Sequence, residues 1–238
     1  MNLIKKNIVK FLRNPRVRYS GIFIALQELL KYRQFEETLI NTIDFVKFCK
    51  VEGDYLEFGV FSGTHFSSTY LYAQKSGLDS MRFHAFDSFE GLPKITGLDL
   101  AAPRQFEQGE FACDLESFKS NIVKNGVSLN RVTITKGWFD ETLNDLTKEK
   151  LAISKAAIIW LDCDIYESTV PVLNFITDYI QNGTVIIFDD WFCFKGDSQL
   201  GQQKAFSEWL ARNPSIKAAE FYKYGWTGNS FILTINDQ

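Results

Sequence analysis

Four cysteines, two histidines and five prolines in 238 residues leave little room for several kinds of chemistry. Cys49, Cys113, Cys163 and Cys193 are scattered without a C-x-x-C pair, so neither a zinc site nor a disulfide framework is expected. Reduced, mostly buried thiols are the default. The histidines, His65 and His84, stand apart from any nucleophile triad, and G-x-S-x-G is missing. G-x-G-x-x-G is missing too, as is a Tyr-x-x-x-Lys pair, which counts against a nucleotide-sugar or NAD-dependent enzyme. No apolar run approaches the roughly 20 residues of a membrane span, and no apolar segment of a secretory signal opens the chain. A cytoplasmic location is therefore expected. The net charge of −3 gives no electrostatic argument for nucleic acid as a partner.

What the chain does have is core-forming material. Hydrophobic residues make up 45% and Phe alone contributes 22 positions, ample for one substantial α/β domain. The first eighteen residues hold Lys5, Lys6, Lys10, Arg13, Arg16 and Arg18 and no acid. With Leu3, Ile4, Ile8, Phe11 and Leu12 they suit a basic amphipathic helix, resting on an anionic membrane or a partner, or simply packed on the domain.

Residues 22–50 repeat apolar side chains every three to four positions, as one or two amphipathic helices do. From there strands and helices alternate. A strand at Tyr55–Phe58 leads through a glycine turn to a helix over Thr64–Lys75, and a second strand ends at Asp87. Residues 94–113 mix glycine, proline and charge without a period and read as a mobile loop or lid. A helix near 114–126, a strand at 131–137, a short helix after 138, the strand "AAIIWLD", a helix over Ser168–Ile180, the strand "TVIIFDD" and a helix at 202–211 follow. The tail reads as a hairpin around "GWTGN". This pattern is an α/β fold with a doubly wound, mostly parallel sheet and an antiparallel C-terminal hairpin. Its ligands belong outside the carboxyl ends of the strands.

Four strand ends carry the polar residues. In "EFGVFSG", Gly59 and Gly63 allow close backbone approach, and Glu57 would suit the ammonium or sulfonium of S-adenosyl-L-methionine better than a pyrophosphate. A plain tight turn explains the pattern equally well. Asp87 stands where nucleotide-binding sheets place an acid that accepts from ribose hydroxyls, or it caps the turn with Ser88. Asp162 ends one strand, and Asp189 with Asp190 end the next. Three converging carboxylates are unfavourable unless a cation sits among them, and an all-oxygen set suits Mg²⁺. Asp164 and Glu167 instead suit the start of the following helix. His65, in the first turn of the helix after the glycine loop, is in reach of a cofactor but is expected rather to pack locally, and His84, inside a strand beside Phe83 and Phe86, to take a core or inter-strand role.

The stretches "EGDYLEFGVFSG", "AFDSFEGLP", "GVSLNRVTITKGWFDETL", "LDCDIYEST" and "VIIFDDW" resemble, in order and spacing, the macrocin O-methyltransferase family of class I S-adenosylmethionine-dependent, Mg²⁺-dependent sugar O-methyltransferases. The resemblance covers residues 52–191. It implies a seven-stranded Rossmann-like methyltransferase domain over 51–238, an N-terminal helical extension over 1–50 and a lid at 94–113. Glu57, Gly59, Ser62 and Gly63 would line the methionine part of the cofactor and Asp87 would bind ribose. Ser88, Phe89, Gly137 and Trp138 would enclose the adenosine, and Asp162, Asp189 and Asp190 would form the metal triad. The acceptor implied is a hydroxyl of a sugar, a glycosylated small molecule or a glycan, and oligomerisation through the helices is in keeping. One departure stands out. The family's lid supplies a histidine as base, and residues 94–114 contain none, which leaves Glu107, Glu110, Asp114 and Asp164 as substitutes. A non-catalytic binding module of the same fold is the further alternative, disfavoured because clustered carboxylates are costly without a metal.

Overall fold

A computed structural model describes residues 21–101 and 106–236, and for residues 21–33 and 101 only the backbone. The basic segment 1–18 and its membrane or partner contact lie outside the described residues. The 22–50 periodicity forms one helix, α1 (Gly21–Phe48). There follow β1 (Asp54–Phe58), α2 (Thr64–Lys75), β2 (Phe83–Asp87), α3 (Leu115–Lys124) and β3 (Val132–Lys136). Next come α4 (Phe139–Thr142), α5 (Asp145–Leu151), β4 (Ala156–Leu161), α6 (Tyr166–Ile176), β5 (Thr184–Phe188), α7 (Gly201–Arg212), β6 (Ile216–Tyr224) and β7 (Gly228–Ile235). No helix among the described residues is long and apolar enough to cross a membrane.

The seven strands order as β3-β2-β1-β4-β5-β7-β6, with the first five parallel and β7 antiparallel to both β5 and β6. The central strands β1, β4 and β5 are buried throughout, and β4 is wholly apolar, because both faces are covered. In β5, Val185 and Ile187 face one core with α1, α2 and α3, while Ile186 and Phe188 face the other with α5, α6 and α7. The order reverses between β1 and β4, which puts a crevice at their carboxyl ends. There the strands come close. A Cβ on Gly59, whose φ is +84°, would lie 1.8 Å from the Asp162 carbonyl oxygen, so glycine is required.

Two boundaries differ from expectation. The helix expected over Ser168–Ile180 starts earlier, at Tyr166, and gives way after Ile176 to a 3-10 turn over Thr177–Tyr179. Within the period-free stretch 94–113, Asp99 is 4% exposed and Phe106 packs on Phe194 with ring centroids 6.0 Å apart, while most of its other described residues are exposed.

Candidate functional site

The polar strand ends converge on one cavity of about 970 Å³, of a size that suits a small-molecule ligand. Gly59, Asp87, Ser88, Gly137 and Trp138 line one side, and Asp162, Asp164, Asp189 and Asp190 the other. Gly91, Leu92 and Pro93, with Lys94, Thr96, Phe106 and Phe111 of the expected lid, also line the cavity.

Asp87 ends β2 and organises the glycine turn. One oxygen accepts from the amides of Val60 (2.7 Å) and Phe61 (3.2 Å), the other from Phe89 (2.6 Å). The cap thus goes to Phe89 and to the neighbouring loop, with a lone pair on Oδ1 still free for a ligand. Burial raises its pKa, and the three amides oppose that rise. Glu57 follows the period-two alternation of β1 and points with Tyr55 toward the α2 face, where the Tyr55 hydroxyl donates to it. It is fully buried behind the turn and does not line the cavity, nor do Ser62, Gly63 and Phe89. Burial pushes its pKa to about 8, against the pull of His65 and Tyr55.

Across the crevice β4 delivers Asp162 and β5 delivers Asp189, which accepts from the Tyr224 hydroxyl at 2.7 Å. Asp190 is more deeply set. Its carboxylate accepts from the Asp164 amide (3.2 Å) and the Cys193 thiol (3.4 Å). Asp164 occupies the left-handed region at φ +62°, a strained position for a non-glycine residue at a site. It precedes α6 by two residues, so its carboxylate does not open the helix as expected. Burial, then the charges of Asp162 and Asp189, raises Asp164 well above the usual carboxylate range, and burial with the same kind of repulsion raises Asp190. Asp189 is pushed to about 7 by burial and Asp162, with His65 and Tyr224 opposing. Glu110 is exposed, accepts from the Glu107 amide at 2.7 Å and stays outside the lining.

His65 is the residue that local reading underrated. Its ring stacks on Phe35 of α1 (centroids 4.0 Å, planes 22° apart), as expected of packing, yet its Nδ1 lies 3.6 Å from Asp162. Burial disfavours the imidazolium, but Asp162, Asp189 and Glu57 outweigh that and raise it to about 9. Ligand atoms of His65, Asp162 and Asp189 fall within 4.8 Å of one another. The available signal was position: the first turn of the helix after β1 faces the end of β4. Trp226 and Thr227, read only as hairpin turn, also line the cavity, and no local pattern marks them.

The profile of the macrocin-O-methyltransferase (TylF) family matches residues 32–207. The chain is 32% identical over 147 residues to the 8-demethyl-8-(2,3-dimethoxy-alpha-L-rhamnosyl)-tetracenomycin-C 4'-O-methyltransferase of Streptomyces olivaceus, covering 59% of this chain and 54% of that protein. It is 29% identical over 147 residues to the mycinamicin III 3''-O-methyltransferase of Micromonospora griseorubida, covering 59% and 56%. The matches thus span little more than half the length of these relatives. Among solved structures, the O-methyltransferase NovP superposes with a TM-score of 0.71 at 21% identity, covering 84% of this chain and 80% of that one. The calicheamicin methyltransferase CalS11 does so with 0.67 at 21% identity, covering 97% and 91%. These structures share the Rossmann-like fold.

Proposed function

The chain belongs to the macrocin-O-methyltransferase family, and on that premise we propose that its cavity transfers a methyl group from S-adenosyl-L-methionine to a hydroxyl of a sugar-bearing acceptor, assisted by Mg²⁺. One observation carries the reading: a single cavity joins the glycine turn and Asp87 to the carboxylates of Asp162, Asp164, Asp189 and Asp190.

The residues fit both groups. The turn at Gly59 and Phe61 brings backbone into the lining, open to the methionine moiety. Asp87 has a remaining lone pair for a ribose, and Trp138 with Ser88 offers a wall for the adenine. Buried carboxylates raised by mutual repulsion are the natural seat of a divalent cation. Asp162 and Asp189, whose ligand atoms meet that of His65, would hold it, and Asp190, set deeper with its oxygens on the Asp164 amide and the Cys193 thiol, would support them from behind. When bound, the cation would lower the pKa of a coordinated hydroxyl.

Each remaining step falls to this chain. The strand ends fix the acceptor's oxygens opposite the glycine turn, and positioning supplies much of the acceleration in such a displacement. Asp164, in the lining and held at a fixed backbone angle, takes the hydroxyl proton. Glu110, outside the lining, is the weaker candidate. Phe106, Phe111 and Trp226 exclude water and present ring faces to the acceptor.

A calorimetric titration tests the reading. S-adenosyl-L-methionine is expected to bind in the micromolar range and NAD not to bind; heat from NAD alone would overturn it.

A further inference from the structure

Asp99 lies on a 3-10 turn, Gly97–Ala101, with inverted polarity: Leu98 and Leu100 are 43% and 63% exposed while the acid between them is buried. Its two oxygens accept from the Tyr166 amide (2.6 Å) and the Gly201 amide (2.9 Å), the first residues of α6 and α7. The N-cap positions of those helices are Ile165 and Leu200, which have no side-chain acceptor to offer. Both instead pack, with Phe194 and Cys193, against Leu92, Ile95 and Phe106 of the same segment. The two helices that follow the acid-bearing ends of β4 and β5 therefore take one shared cap from a distant stretch of chain. The exchange runs both ways, because Glu167 of α6 accepts from the Leu98 amide at 3.1 Å. This is the reciprocal logic of a capping box, made between separate segments. Gly97 (φ +62°) completes it, since a Cβ there would meet Glu167 Oε1 at 1.9 Å.

We propose that Asp99 and Glu167 clasp the segment Leu92–Leu100 to the starts of α6 and α7. Asp99 is thereby a positioning residue: it holds the Leu92, Lys94 and Thr96 wall at a set distance from Asp164 and Asp190 and closes the cofactor's exit. The consequence for the cofactor rests on the methyltransferase reading; the clasp itself does not.

Hydrogen exchange on the full chain tests the clasp directly. Asp99→Asn offers one acceptor where two are needed, and Glu167→Ala offers none to Leu98; each is expected to speed exchange in residues 92–100 by about tenfold, the worth of a charge-assisted hydrogen bond. Glu167→Gln keeps a carbonyl for the Leu98 amide and should preserve the wild-type rate. The positioning role is read from S-adenosylhomocysteine dissociation, followed by tryptophan fluorescence, which Asp99→Asn should also accelerate about tenfold. If Asp99→Asn lowers the melting temperature yet leaves both rates within about twofold of wild type, a change too small for a lost charge-assisted bond, Asp99 only caps helices and the proposal is overturned. Should that variant not fold, Gly97→Ala and the two Glu167 variants decide the matter by the same rates. A wild-type chain that fails to bind S-adenosylhomocysteine would count against the methyltransferase reading, while the exchange result still decides the clasp.

Discussion

The two ends of the parallel sheet hold aspartates in opposite circumstances. At the amino end Asp54, buried at the start of β1, meets two partners: the Arg82 guanidinium at 2.6 Å through a forked contact and the His84 Nε2 at 3.0 Å. Burial would raise its pKa, but His84 and Arg82 hold it below the usual range. At the carboxyl end Asp164, Asp189 and Asp190 are raised instead, because burial is reinforced by like charge, and among their neighbours only His65, beside Asp189, could bring a positive charge. One residue type thus serves cohesion at one end and is left in need of a cation at the other. A fold that needed only stability would pair both ends.

The largest expected effect comes from breaking the functional end. Asp189→Asn should reduce Mg²⁺-dependent methyl transfer by about a hundredfold or more while S-adenosyl-L-methionine still binds. The fold should be no less stable, since a repelled buried charge is removed. Wild-type turnover that persists undiminished in chelator would show that no metal works at this site.

Breaking the paired end should do the reverse. Asp54→Ala leaves His84 and Arg82 without their acceptor; breaking a buried pair costs several kcal/mol, and with Arg82 47% exposed, solvent screening reduces this to about 2 kcal/mol. The urea midpoint should drop while S-adenosylhomocysteine affinity stays near wild type. A comparable loss of affinity would mean that the two ends are not separable.

The contrast also fixes the sign of the pH response. The raised acids Asp189 (to about 7) and Glu57 (to about 8) keep their protons longer in the folded chain than in the unfolded one. Between the ordinary carboxylate range and those values the native state binds more protons, so stability falls as pH rises. His65, raised to about 9, adds to the same trend at higher pH, since its contribution is lost as pH rises through that value. Asp54, lowered, contributes stability above its unfolded pKa and loses it as pH falls through its folded one. Melting temperature in chelator is therefore expected to decline from pH 5 toward pH 8, and saturating Mg²⁺ to flatten the decline. A flat profile in chelator would remove the electrostatic case for the cation.

The carboxyl end was the more legible of the two in the sequence. Asp162, Asp189 and Asp190 each close an apolar run, and in a parallel sheet such runs end at the same rim, so pattern and topology were enough to bring them together. His65 was legible only in part: its place in the first turn after the glycine loop put a cofactor within reach, while its approach to Asp162 depends on how β1 and β4 pair. Asp99 was hidden more thoroughly. Its partners are backbone amides, which carry no sequence signal, and the vacant caps at Ile165 and Leu200 show only once the helix starts are known. At the amino end, Asp54 of β1, His84 of β2 and Arg82 just before β2 share no motif; the core or inter-strand role expected of His84 is met by its contact with Asp54, but that partner carries no sequence signal.

The finest division of the comparison lies within the Asp54 cluster. Arg82 presents Nε and one terminal nitrogen to the two Asp54 oxygens and reaches the Ala152 carbonyl at 3.0 Å, so its planar fork ties β1 and β2 to the end of α5. Arg82→Lys keeps the charge but replaces the fork with a single ammonium that cannot meet both carboxylate oxygens and the carbonyl together. Since His84 remains and the guanidinium is half in solvent, the loss should be no more than about 1 kcal/mol, read as a small shift in the urea midpoint. Methyl transfer should not change, because nothing in this cluster touches the cavity. A loss matching that of Asp54→Ala would mean that the fork, and not the buried carboxylate's pairing with His84, holds the amino end together.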